Sequence, residues 1–162
     1  MSVPRSYGRI EFPLSAIGDE IRNLLIEEGV RFKEDSLEID GSLGDLEVEV
    51  KEGLFSMENS EARYGEFDDL ETLLIEKGIP FDRVSGMDWN RPPERRIFRP
   101  GPPDFDHYYP LDSEAYAPVV SISTIQELLG LPMPTYEIQA YLEKHFPSYS
   151  PLADWVKQEV QR

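Results

Sequence analysis

Between residues 34 and 50 the chain alternates carboxylates with branched aliphatic side chains. Glu38 and Asp40 are interleaved with Leu37 and Ile39, and Glu47 and Glu49 with Val48 and Val50. A period of two is the signature of a half-buried strand, so each stretch presents one apolar and one acidic face. Same-face residues on a strand stand about 6.6–7 Å apart, comparable with successive phosphates along a nucleic-acid strand. Glu34 and Asp35 add two more acids close by in sequence. Carboxylates in this array can imitate a phosphate backbone toward a protein that normally holds DNA or RNA. An ordinary solvated strand face shows the same alternation, so the pattern alone decides nothing.

The contrasting segment is Glu94–Arg99, where Arg95, Arg96 and Arg99 follow Arg91. Guanidinium groups pair bidentately with carboxylates. This strand is therefore expected to pair with an acidic face, in the same molecule or in a second copy as a homodimer. Glu61, Glu66, Asp68 and Asp69 flank the start of an expected helix, where the macrodipole favours acids. His107 and His145 stand in no metal-ligand or nucleophile-base spacing, and the phosphate-loop, dinucleotide and nucleophile-elbow patterns are absent. The expectation is a non-enzymatic protein with no catalytic residues, cofactor or metal.

The elements that must position these residues come in two similar stretches. Leu24–Phe32 and Leu73–Phe81 align without gaps at a constant offset, each carrying a helical stripe, a glycine stop and the start of a strand. Self-similarity of this kind dictates architecture. It predicts an α+β fold of two tandem βαββ repeats, residues 6–51 and 54–100, with antiparallel sheet and helices on one side. In the first unit Tyr7–Phe12 is a strand and Pro13 opens a helix carrying Leu14, Ile17, Ile21, Leu24 and Leu25. Val30–Asp40 is then extended, Gly41–Gly44 a turn and Leu46–Lys51 a strand. In the second, Leu54–Arg63 is a strand, Phe67, Leu70 and Leu74 a helical stripe, and Phe81–Trp89 and Arg95–Arg99 a hairpin.

Residues 101–118 are rich in proline and aromatics and are expected to be coil lying on the domain. Val119–Ser121 is a short strand on this reading. Residues 119–162 form a small helical region, with caps at Ser123 or Thr124, at Thr135 and at Ser150. Phe105, Tyr108, Tyr109, Tyr116 and Trp155 are the candidate anchors of an alternative interface, because aromatics dominate binding hot spots.

Charge sets the class of partner. The 162 residues include 32 acids and 16 bases, a net charge of −16 and a pI near 4.4. Residues 1–50 hold 12 acids and 5 bases, residues 51–100 hold 11 and 8, and residues 101–162 hold 9 and 3. Such a chain is repelled by phosphate backbones and anionic membranes, and it is drawn to basic protein surfaces. No apolar run suits a membrane span and no secretion signal is visible, so a cytoplasmic setting is expected. Acidity, size and lack of catalytic motifs together resemble the general profile of anti-defence inhibitors such as anti-CRISPR and antirestriction proteins. They also resemble immunity proteins that neutralise basic nucleases. The resemblance is one of type and implies inhibition of a nucleic-acid-acting complex through an acidic surface. The alternative is an immunity-type or adaptor protein that binds through the aromatic segment and C-terminal helices.

Overall fold

Residues 5–13 alternate Arg9 and Glu11 with Ile10 and Phe12, and this alternation becomes the centre of a sheet. The computed structural model of the protein describes residues 5–34, 36–88 and 91–160. Asp35, Trp89 and Asn90, expected from sequence in the acidic set or at the second hairpin, lie outside the described residues. Strand β1 (Arg5–Pro13) pairs antiparallel with β5 (Leu54–Arg63), putting Ile10 opposite Met57 and Phe12 opposite Phe55. All four are fully buried. Helices α1 (Asp19–Glu28) and α2 (Asp68–Glu76) lay Ile21, Leu25, Leu70 and Leu74 into the same core. Each such side chain contributes roughly 1.5–3 kcal/mol on removal from water.

Four further strands complete the main sheet: β4 (Leu46–Lys51), β6 (Phe81–Ser85), β7 (Glu94–Arg99) and β8 (Phe105–Pro110). The order is β4-β5-β1-β6-β7-β8, all antiparallel. Strands β2 (Val30–Phe32) and β3 (Ile39–Ser42) form a separate ribbon. Three helices follow: α3 (Ile122–Leu129), α4 (Pro134–His145) and α5 (Leu152–Val160). The fold is thus mixed α+β, with five α-helices and eight antiparallel strands among the described residues. No helix among them is long and apolar enough to cross a membrane.

The stretches 6–51 and 54–100 do not pair alike. After α2, both β6 and β7 join the main sheet, whereas after α1 only β4 does, pairing directly with β5. Other expectations are corrected as well. Pro13 does not open α1: a 3-10 turn spans Leu14–Ala16, Ile17 is extended, and the helix starts after Gly18. The stretch from Val30 to Asp40 is broken after Phe32 instead of extended throughout, and Gly41 and Ser42 belong to β3 instead of a turn. Gly29 ends α1 at φ 110°, a conformation in which a side chain is strained.

The largest correction concerns residues 101–118. They contain β8, paired along its length with β7. Proline is tolerated there because β8 is the last strand of the sheet, where half the backbone needs no ladder partner. Val119–Ser121 forms no strand; an isolated bridge joins Leu111 to Pro118 just before it. Ser121 caps α3, accepting from the Thr124 N–H at 3.1 Å. Met133 and not Thr135 precedes α4, with Pro134 in its first turn.

Candidate functional site

Register assigns the faces of the sheet. Val48 faces Met57, Met57 faces Ile10 and Ile10 faces Arg83, so these point toward α1 and α2. Their neighbours in sequence point the other way. On that outer face one row across the sheet runs Glu47, Glu58, Arg9; the next runs Glu49, Ser56, Glu11, Asp82. Glu47 stands directly across from Glu58, a like-charge pairing that disfavours the sheet. Arg9 offsets part of this. Its guanidinium lies 3.5 Å from Glu58 and 3.3 Å from Glu11, and its Nε donates to Ser56 Oγ at 3.1 Å.

Burial holds the Glu11 carboxyl above its ordinary value, with Asp82 and Glu49 adding to the rise against the pull of Arg9. Asp82 is also raised by burial, against Arg99 at 2.7 Å. Tyr7, at the same face, is pushed up to about 12 by burial and by Glu58. In these two rows five carboxylates stand against the one guanidinium of Arg9.

The ribbon carries the other acids of the set. Asp40 is exposed on β3, and Glu38, just before it, is paired with Lys33. Glu34 is exposed in the turn between β2 and β3. The four carboxylates singled out from sequence therefore do not share one face: Glu38 and Asp40 belong to the ribbon side, and Glu47 and Glu49 to the outer face of the main sheet. A groove of about 680 Å³ lies on the side of the ribbon, lined by Leu14, Leu37, Ile39, Val48 and Val50 with Glu38 and Asp40 at its rim; Glu47 and Glu49 point to the opposite face of the sheet. Among the described residues, Asp40, Glu47 and Glu49 form no ion pair.

The arginine strand is engaged within the molecule. Arg96 grips Asp106 with two bonds, 2.9 and 2.7 Å, and reaches Glu71 at 2.9 Å. Arg99 is buried, donating to the carbonyls of Phe81, Phe98 and Ser150. Arg95 lies on the outer face between Val84 and Tyr109. The acids these arginines meet are not those of the first hairpin.

The candidate aromatic anchors do not share one surface. Tyr109 is buried, its hydroxyl donating to the Pro147 carbonyl at 2.6 Å, with Phe146 and Tyr149 against its ring. Phe105 is half-buried beside Tyr149, and Tyr116 beside Tyr7. Trp155 is half-buried on α5. Tyr108 alone of the five is exposed, and it points to the opposite face, over Arg96. His107 Nε2 lies 2.7 Å from the His145 carbonyl, and the His145 ring packs against Tyr141.

Glu11, Glu58 and Asp82 were not singled out from the sequence. Glu58 alternates with buried Met57 in an expected strand, but only knowledge of which strands are neighbours adds it to Glu47. The C-terminal helices, expected from sequence to share in the alternative interface, present a second surface. Helices α3 and α4 bury no residue, and Ile122, Leu129, Leu131, Met133, Tyr136 and Leu142 are all exposed. The spacing of these apolar residues reads equally well as a packed core stripe. No known protein family, curated protein or solved structure matches the chain.

Proposed function

We propose that the protein is a non-enzymatic binding protein that engages the basic surface of a nucleic-acid-acting protein or complex through the acidic site on β3, β4 and β5, and inhibits it by occupying the place of nucleic acid. What supports the reading is the arrangement of Asp40, Glu47 and Glu49. They are exposed and form no ion pair among the described residues, and Glu47 stands across from Glu58 in a like-charge register that stability alone disfavours. A partner that brings lysines and arginines removes this repulsion on binding. A cytoplasmic setting and descent of the two βαββ-like stretches from one duplicated unit belong to the same proposal. The constant offset between Leu24–Phe32 and Leu73–Phe81 supports the duplication.

The test is capture from a lysate of the source cell at low and at moderate salt, with the chain carrying Glu47→Lys and Glu49→Lys as comparison. The expected result is a basic, nucleic-acid-binding protein captured at low salt, displaced by added DNA and missed by the variant. Capture of the same protein by both chains with one salt profile contradicts the reading.

A second reading is favoured by the exposed apolar residues of α3 and α4. Residues 119–136 contain a single charged side chain, Glu127, in a chain that is 30% charged. Contiguous exposed apolar surface marks interaction sites. On this reading the helical hairpin binds a partner protein as an adaptor, with a second copy of the chain as the other occupant. Ile122→Lys with Leu129→Lys discriminates, because it abolishes capture on the adaptor reading and leaves it intact on the acidic-site reading.

A further inference from the structure

Helices α3 and α4 run for 8 and 12 residues, lengths at which a helix in water is marginal without a packed face. They pack extensively on each other and on no other element among the described residues. The end of α4 is tied to β8 where His107 meets the His145 carbonyl. Neither helix buries a residue. Ile122 and Leu129, seven residues apart and so on one side of α3, are 78% and 56% exposed. Met133 and Tyr136, where α4 begins, are 61% and 62% exposed. Apolar side chains left open on both members of a helix pair mark an interaction surface.

Charge selects the occupant. Residues 119–136 carry Glu127 as their one charge. A basic partner is drawn to the acid-rich faces and gains little from this stretch. For another copy, itself at −16, the reverse holds: approach elsewhere sets like charges together, and the uncharged stretch is where close contact costs least. Helix α4 adds a self-complementary pattern. Glu137 stands in its first turn and Lys144 in its last, seven residues apart and hence on one side, with the small Ala140 between them. Two α4 helices running antiparallel about a twofold axis set Glu137 of each against Lys144 of the other. We propose that the protein is a homodimer in which two α3–α4 hairpins pack into a four-helix bundle, the α4 helices antiparallel. The contact uses none of the acids on β4 and β5, so each copy keeps its outer sheet face for a partner. The proposal rests on the hairpin being an interface, as in the second reading, and names a second copy as what covers it.

Sedimentation equilibrium of the full chain is the experiment. The native mass is expected to rise with concentration to twice 18.6 kDa. Added salt is expected to tighten the dimer, because it screens the repulsion between two negative chains. Ile122→Lys with Leu129→Lys, both at exposed positions, is expected to weaken the dimer at least about tenfold with circular dichroism unchanged. Glu137→Lys and Lys144→Glu are each expected to weaken it, and the two together to restore it, as the antiparallel pairing requires. A double variant as weak as the single ones overturns that pairing, and a dimer untouched by Ile122→Lys with Leu129→Lys overturns the helical contact. A native chain that stays at 18.6 kDa overturns the second copy. The adaptor reading then stands if the lysine variant loses the partner captured by the native chain, and falls with the dimer if it does not.

Discussion

Glu71 shows how a single acid can be spent on architecture. It is buried on α2, accepts from the Phe67 N–H at 3.1 Å, and lies 3.1 Å from Arg83 and 2.9 Å from Arg96. Arg83 is fully buried too, with Glu94 at 3.0 Å and Ser85 Oγ at 2.8 Å as its other partners. Removing one member of a buried ion pair leaves the other charge without compensation. Glu71→Ala is expected to cost about 3–5 kcal/mol in urea unfolding, and a loss below about 1 kcal/mol contradicts this role for the network. Nothing in the sequence marks Glu71 apart from the acids that flank α2, because its partners are 12 and 25 residues away in the chain. Asp40, Glu47 and Glu49, by contrast, were legible from period-two alternation alone.

At the level of elements, β1, β5 and both N-terminal helices could be read from periodicity, while the second cover of the sheet could not. Tyr109, Ile97 and Arg99 face away from α1 and α2, and the segment from Phe146 to Ser150 packs there. Proline density hid β8, since it argues against a central strand and says little about an edge. Helix α5 is seated against the turn between β4 and β5, where Gly53 has φ 79° and a methyl group in place of its hydrogen would lie 2.7 Å from Val156 Cγ1. Gly53→Ala is therefore expected to displace α5 and to destabilise by about 1 kcal/mol or more. The readout is a red shift of tryptophan emission with the strand signal in circular dichroism retained; an unshifted spectrum with unchanged stability contradicts the seating of α5.

For the whole molecule the dominant quantity is charge. Burial is the first cause that raises the carboxyls of Glu11, Glu28 and Glu66 above 4.5, and that of Asp82 above 3.8. A raised value means that the folded chain binds more protons than the unfolded chain in the interval above the ordinary value. Stability from these groups is complete below about 4.5 and is lost as pH rises through the raised values. Asp112 has the opposite sign: the N–H groups of Ala115 and Glu114 lower it, so its contribution is lost only as pH falls below 3.8. With a net charge of −16 also relieved by protonation, the Tm is expected to rise as pH is lowered from about 7 to about 5. A Tm that falls over this range contradicts that balance. The same excess of acid gives the acidic site its most direct measurement, the affinity for the captured basic partner as a function of salt. The expected result is affinity that falls steeply with rising salt for the native chain, and binding largely abolished by Glu47→Lys with Glu49→Lys, whose Tm is not lowered because the repulsion of Glu58 is relieved. Equal affinity and equal salt dependence for the two chains would contradict it.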